Sequence, residues 1–506
     1  MEAVQEKTLS IEDMRAGLES MYENTDENIQ VTGRAITERC AKESTSIPGL
    51  PDVSDIGNSE RLFNLCGNRV RYSFDSGQYH VWNGRIWTPD CAAQLNRWAV
   101  KSAKGIYKEI PKVNDGKKYK MYFARLMKHA ASSGGRSRLD AAIDLMKSHE
   151  KVEILASEFD SDPYLFCFAN GTLNLKTGKL QKHDKTDLIT KMSPVKYDEN
   201  AKSGIWESFL DSITQNDKEL KLFLQRVAGY SLCGDDSEEK LFFLYGASAT
   251  GKTSFKDALK SVMGSYAVTA DISTFLKSRG VNTGPRPDIA RLAGSRMVIS
   301  DEIDEGATLA AGLVKLWAGG DTLVARFLYK EHFEFRSRGK LWLIANHAPK
   351  VSASDGAMWR RILRVPFLHE IPEEEQDHGL KKVLCDTKET GPAIASWMAE
   401  GCLMWQDNGL DVPEAVKLST EEYKSEQNPV SGFLNDRCEV DIDNLTIQTT
   451  SEDLWGEYER WTEDNGIKHH ITRIKFGKNL KLHGLQQGQR TGDRARMWYG
   501  VQIRNA

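Results

Sequence analysis

"YGASATGKTSF", Tyr245–Phe255, decides how this chain is read. The four residues before it, "LFFL" (241–244), are a buried-strand pattern, and "KDALKSVMG" (256–264) continues as an apolar-periodic helix that Gly264 ends. Gly246-x-x-x-x-Gly251-Lys252-Thr253 therefore lies between strand and helix, the setting in which a Walker A match holds a polyphosphate. Glycines free backbone N–H groups to turn toward phosphate oxygens, and the helix N-terminus favours negative charge there. Gly246, Ala247, Ser248, Ala249, Thr250, Gly251, Lys252, Thr253 and Ser254 are the expected nucleotide-binding loop. Lys252 is expected to reach the β- and γ-phosphates of ATP, and the Thr253 hydroxyl to ligate Mg²⁺.

Such a loop needs a second strand that brings a carboxylate to the metal. "RMVISDEID" (296–304) supplies one, with Asp301 assigned to Mg²⁺ and Glu302 to activating the attacking water. Asp304 and Glu305 read as a solvated turn. A third strand, "KLWLIANHAP" (340–349), ends in Asn346, a polar side chain placed to contact the γ-phosphate or orient the water. "AMWRRILRVPF" (357–367) then sets Arg360 and Arg361 side by side. Either could enter a neighbouring copy's ATP site, where an arginine stabilises charge on the transferred phosphoryl group by roughly 10³–10⁵ in rate.

The totals allow this chemistry and exclude others. At 506 residues the chain exceeds one ordinary core. No apolar run approaches the roughly 20 residues of a membrane span, and the acidic start "MEAVQEKTLSIEDMRAGLES" lacks a signal peptide's basic and apolar regions. The expected location is the cytoplasm of a bacterial host. Eight scattered cysteines without a C-x-x-C pair argue against a zinc ribbon or a disulfide framework. From Lys468 onward nine Lys/Arg face one acid, a net +8 in a chain whose total is −4, so the remainder carries −12. An acidic body with a basic terminal module points to contact with an anionic polymer.

Along the chain, residues 1–58 read as an acidic, partly flexible segment with one possible helix, Ile11–Tyr22. Hairpin signatures in "VRYSFDSGQYHVWNGRIWTPD" (70–90) and "YLFCFANGTLNLKTGKLQ" (164–181) flank helical patterns. Together these make residues 59–204 an α+β unit. Residues 205–238 read as helical, 239–428 as an α/β sheet domain, and 429–506 as a compact basic unit. The D-x-D formed by Asp160 and Asp162 reads as a turn, and Trp82, Trp87 and Phe166 as core.

"GASATGKTSF", "VISDEID", "LVKLWAGGDTLVARFLYKEHFEF", "LWLIANHAPKV" and "MWRRILRVPF" follow one another in the order and spacing of superfamily 3 helicases. The region from about residue 60 to residue 430 resembles the helicase portion of phage and plasmid primase-helicases. "WESFLDSI" and "LQRVAGYSLCG" are similar to that family's helical collar. The resemblance implies a P-loop AAA+ core, a hexameric ring around DNA, 3′-to-5′ movement on one strand, and a role in replication of a bacteriophage or other mobile genetic element. It also implies a channel hairpin after the Gly320-Asp321 turn, with Lys330 and His332 at its tip on the single strand's phosphates. Full-length members often carry a primase module ahead of this region, and none is evident here.

The last unit has its own outline. "SEDLWGEYERWTEDNGI" (451–467) reads as an amphipathic helix, "ITRIKFGKNLKLHGL" (471–485) as a basic one, and "GQRTGDRARMWYGVQI" (488–503) as a hairpin. Helix, basic helix and hairpin make a winged-helix-like outline. It would set Arg473, Lys475, Lys478 and Lys481 against duplex DNA, with Arg490, Arg494 and Arg496 on phosphates. His469 and His470 lack partners at metal-ligand spacing. Host or element replication partners are further expected contacts.

Overall fold

The computed structural model describes residues 49–91, 93–110, 120–277, 285–329, 331–352, 355–377, 379–465, 471–490 and 494–504. The possible helix at 11–22, Lys330, His469 and His470 lie outside the described residues. Two compact units emerge from the chain's internal contacts, Met1–Trp82 with Thr88–Ala156, and Asn83–Trp87 with Ser157–Ala506.

In the first unit the expected hairpin forms β1 (Val70–Ser73) and β2 (Gln78–Trp82), with Val70 opposite Val81 and Ser73 opposite Gln78. β3 (Trp87–Pro89) completes that sheet in the order β1-β2-β3. Helices Asp55–Cys66, Gln94–Gly105 and Arg136–Met146 enclose a core of Leu62, Cys66, Val70, Leu95, Ala99, Ala142 and Met146. Ser54 caps the first helix, its hydroxyl accepting from the Gly57 amide.

The second unit opens with an antiparallel sheet of β4 (Leu165–Phe168), β5 (Gly171–Asn174) and β6 (Lys179–Gln181), the second hairpin pattern of the sequence. Asp160 and Asp162 make turns here: their carboxylates accept from the amides of Thr190 and Tyr164, each at 2.8 Å. Helices Gly204–Thr214 and Lys218–Tyr230 follow, capped by Ser203 and Asp217.

Next come β7 (Leu241–Tyr245), β8 (Ala267–Thr269), β9 (Met297–Asp301), β10 (Thr322–Ala325), β11 (Phe333–Arg336), β12 (Lys340–Ala345) and β13 (Ile362–Pro366). Five of them form one parallel sheet in the order β13-β7-β12-β9-β8. Because side chains alternate along a strand, this sheet feeds two cores. Phe242, Leu244, Met297, Ile299, Trp342 and Ile344 face one; Leu241, Phe243, Val298, Leu341 and Leu343 face the other. Burial on both faces explains why these strands read as unbroken apolar runs. The molecule is thus mixed α/β around a five-stranded parallel sheet. β10 and β11 pair separately as an antiparallel hairpin.

The C-terminal part has a core of its own. Val430, Phe433, Leu454, Tyr458, Trp461, Phe476, Leu480 and Trp498 draw helices Pro429–Arg437, Ser451–Asp464 and Arg473–Leu482 together. β14 (Cys438–Val440) pairs with β18 (Val501–Ile503), and β15 (Gln448–Thr450), β16 (Gln486–Gln489) and β17 (Arg496–Tyr499) form a second small sheet. No helix among the described residues is long and apolar enough to cross a membrane.

Candidate functional site

Parallel strands deliver their C-terminal ends to one edge of a sheet, and there the chemically suggestive residues collect. β7 ends at Tyr245, the glycine loop crosses the edge, and helix Lys252–Met263 leaves it. Gly251 sits at φ +82, and a Cβ there would lie 2.5 Å from the Ile213 methyl, so both conformation and space require glycine. Ala249 also holds a positive φ, +58, a local cost of the loop's shape.

Lys252 is buried and folded onto this loop. Its Nζ donates to the Gly246 carbonyl at 2.8 Å, to the Ala247 carbonyl, and to Thr250 Oγ1 at 3.0 Å. Burial lowers its pKa below the ordinary lysine value. Thr253, one residue into the helix, is exposed.

β9 carries Asp301 to the same edge, two strands from β7 with β12 between. Asp301 Oδ2 accepts from Lys256 Nζ at 2.5 Å, while Oδ1 is buried without a hydrogen-bond partner. Lys256 also contacts Asp257 Oδ1 at 3.2 Å. Burial pulls the Lys256 pKa down, but the hydrogen bond and charge of Asp301, with Asp257, outweigh it and raise it. Glu302 is exposed and held at φ +61, a strained conformation for a non-glycine residue at a strand end. β12 ends at Ala345, and the next residue, Asn346, donates from Nδ2 to Ser248 Oγ of the loop at 3.3 Å. Loop, carboxylates and asparagine are thereby brought to one place, although loop and asparagine stand 98 residues apart in sequence.

The donors suit a nucleotide with a divalent cation. An orphaned carboxylate oxygen at Asp301 and an exposed hydroxyl at Thr253 are hard oxygen ligands of the kind Mg²⁺ takes in small number, the rest coming from phosphates and water. Among the described residues no group of three or more His, Cys, Asp or Glu could make an all-protein cage.

The arginine pair separates. Arg360 and Arg361 lie between the short helix Gly356–Trp359 and β13. Arg361 is turned inward at 8% exposure, with Nη2 2.8 Å from Glu239 and Nη1 donating to the Ala357 carbonyl at 3.0 Å. Both of its Nη groups are thus engaged within its own chain, while its Nε is buried without a hydrogen-bond partner. Arg360 is 64% exposed, 3.5 Å from the same Glu239 carboxylate. Arg364, mid-strand on β13, is buried against Ser419, Glu422 and Glu426.

Of the hairpin-tip pair, His332 is described and exposed, in the connection between β10 and β11. Arg336, at the hairpin's root, pairs with Asp236 at 2.9 Å. In the C-terminal part, helix Arg473–Leu482 buries Phe476 and Leu480, one turn apart. Lys475, Lys478 and Lys481 share the opposite, exposed face, whereas Arg473 donates to the Ser451 carbonyl at 3.3 Å. Arg490, Arg494 and Arg496 are exposed around the connection from β16 to β17. Sequence reasoning missed Lys256, Glu239 and Gln225, since a partner identity at long range has no local signal. A lysine one turn beyond Lys252 on the same helix face was the available hint for Lys256.

Comparison with known proteins agrees with these motifs. Residues 59–215 match a family described as D5 N terminal like. The chain is 28% identical over 327 residues to the putative helicase L207/L206 of Acanthamoeba polyphaga mimivirus, covering 60% of this chain and 34% of that one. It is 23% identical over 412 residues to the putative helicase 022R of Frog virus 3, covering 66% and 42%. To the primase D5 of Fowlpox virus it is 26% identical over 238 residues, covering 43% and 29%. It thus spans less than half of each of these relatives. Among solved structures, the apo C-terminal region of NrS-1 is similar at a TM-score of 0.48 and 12% identity, covering 86% of this chain and 96% of that one. The chain thus carries a D5 N terminal like region and is similar to viral putative helicases and a viral primase, in agreement with the superfamily 3 primase-helicase resemblance of its motifs.

Proposed function

We propose that this chain is an ATP-dependent DNA helicase acting in replication of a viral or other mobile genetic element. The observation that carries the reading is the meeting of Lys252, Asp301, Glu302 and Asn346 at one sheet edge, with Asn346 hydrogen-bonded to the glycine loop. The strand order, with β7 between β13 and β12, supports an AAA+ assignment for residues 239–428. Residues 59–204, 205–238 and 429–506 are proposed as the preceding α+β domain, the helical collar and a winged-helix-like DNA-binding domain.

In this reading ATP displaces the loop carbonyls as the partner of the Lys252 ammonium, which then neutralises the β- and γ-phosphates. Asp301 and Thr253 hold Mg²⁺, which supplies charge neutralisation at the phosphate oxygens when bound. Glu302 takes the proton of the attacking water as the bond from the γ-phosphorus to ADP breaks, and Asn346 orients the reacting groups. Subunits form a ring, proposed as a hexamer, and Arg360 completes the neighbour's site. The β10–β11 hairpin, with Lys330 and His332, grips one strand in the channel, and the basic C-terminal helix docks on duplex.

The test pairs two variants. Lys252→Ala is expected to abolish nucleotide binding or turnover. Lys330→Ala with His332→Ala is expected to abolish unwinding of a forked substrate while retaining duplex binding and basal ATP hydrolysis. Loss of hydrolysis without any unwinding by the wild type would instead indicate a nucleotide-switched DNA-binding protein.

A further inference from the structure

The glycine-loop helix carries three lysines spaced one turn apart, Lys252, Lys256 and Lys260, and only Lys252 belongs to the loop motif. Lys256 is 9% exposed, and its Nζ is 2.5 Å from Asp301 Oδ2 and 3.2 Å from Asp257 Oδ1. Asp257 in turn places Oδ2 2.6 Å from Lys381 Nζ on the short helix Leu380–Leu384. Four alternating charges from three elements thus end on one carboxylate of the candidate metal site. That carboxylate is used asymmetrically: Oδ2 is held by the ammonium, and Oδ1 is buried without a hydrogen-bond partner.

Leaving a buried acceptor unpaired is costly, so a fold that satisfies one oxygen and leaves the other bare has a use for the second. An ammonium is a point charge with three donors. Shared between Asp301 and Asp257 it fixes the torsion of the Asp301 carboxylate without reaching its other oxygen. We infer that Lys256 is a positioning residue for the divalent cation: it pins Asp301 Oδ2 so that Oδ1 is presented to Mg²⁺ or its bound water. The inference rests on the reading of this edge as a nucleotide–Mg²⁺ site. A partner that orients a metal ligand typically changes metal affinity about 10- to 100-fold when removed.

The competing physical possibilities predict different signs. Were Lys256 a rival cation occupying the metal's place, removing it would tighten metal binding. Were it only a fold anchor, folded protein would bind metal as before.

The experiment uses the full chain carrying Lys256→Met and Lys256→Arg, each first shown folded by its melting transition. Lys256→Ala, which removes the ammonium and leaves room for water at Oδ2, stands in should the methionine variant not fold. A fluorescent ATP analogue is titrated in EDTA and in Mg²⁺, and free Mn²⁺ is followed by EPR in the presence of ADP. For Lys256→Met the expected result is unchanged nucleotide affinity in EDTA, with a loss of about 10-fold or more in Mn²⁺ affinity and in the Mg²⁺-dependent gain in nucleotide affinity. Arginine should recover part of both. Unchanged or tighter Mn²⁺ binding by the folded variant overturns the inference and leaves the ATP-site reading standing. Failure of the wild type to bind the analogue under either condition overturns both.

Discussion

Arg361 and Arg360 are neighbours in sequence and opposites in environment, and the difference sets what each substitution should do. Arg361 spends its guanidinium on Glu239 and the Ala357 carbonyl. Removing it deletes both contacts, and although Glu239 keeps Arg360 at 3.5 Å, a loss of about 1–2 kcal/mol is expected. Arg361→Ala is therefore expected to lower the melting transition of the isolated chain. Arg360, largely exposed, is expected to tolerate alanine in stability. Arg360→Ala should lose ATP turnover at nearly intact nucleotide affinity, and a mixture with Glu302→Gln subunits should recover part of it. Full turnover by Arg360→Ala subunits would remove it as the residue that completes a neighbour's site. The doublet "RR" was visible in the sequence, but nothing local distinguished inward from outward. That depended on Glu239, more than a hundred residues earlier.

Helices Lys218–Tyr230 and Gly391–Asn408 illustrate how an element far from the site holds it in place. Their backbones approach so closely that a Cβ on Gly229 would lie 2.0 Å from the Cys402 amide nitrogen and 2.3 Å from the Gly401 carbonyl carbon. Gln225 adds a side-chain amide donating to the Trp397 carbonyl at 3.0 Å. Backbone cannot move aside as a side-chain tip can, so Gly229→Ala is expected to destabilise the fold by about 3 kcal/mol, read as a shift in the denaturation midpoint at unchanged slope. The basic helix Arg473–Leu482 carries the corresponding functional test. Replacing Lys475, Lys478 and Lys481 with alanine should weaken duplex binding and flatten the slope of log affinity against log salt by about 2–3, since each phosphate left unneutralised removes about 0.9 from it. An unchanged slope would assign this face to subunit packing. The sequence reads residues 205–238 as helical and 471–485 as a basic helix. The close glycine approach was beyond reach, because it joins positions some 170 residues apart.

Across the assembled protein, the proposed motor requires several copies. Particle mass measured with a non-hydrolysable ATP analogue, with and without forked DNA, is expected to show a closed multimer with six copies as the leading expectation. A chain that stays monomeric throughout and still hydrolyses ATP at full rate would defeat the ring model. The acidic-body, basic-tail division of charge supports this arrangement, since the tail's basic residues sit on a separately cored module. Two of that module's helices and its hairpin were legible from their patterns, whereas helix Pro429–Arg437 was not.

What the linear order of residues determined was where the contiguous motifs lie and which elements carry them. The loop Gly246–Thr253 between strand and helix, Asp301-Glu302 at a strand end and Asn346 at another each follow from local spacing and apolar runs, because strands and helices declare themselves over short windows. Tertiary structure alone decided which charges meet: that Lys256 takes one oxygen of Asp301 and leaves the other bare, and that Arg361 turns inward while Arg360 stays out. Pairing of that kind depends on distances between elements that only the folded sheet and its covering helices establish.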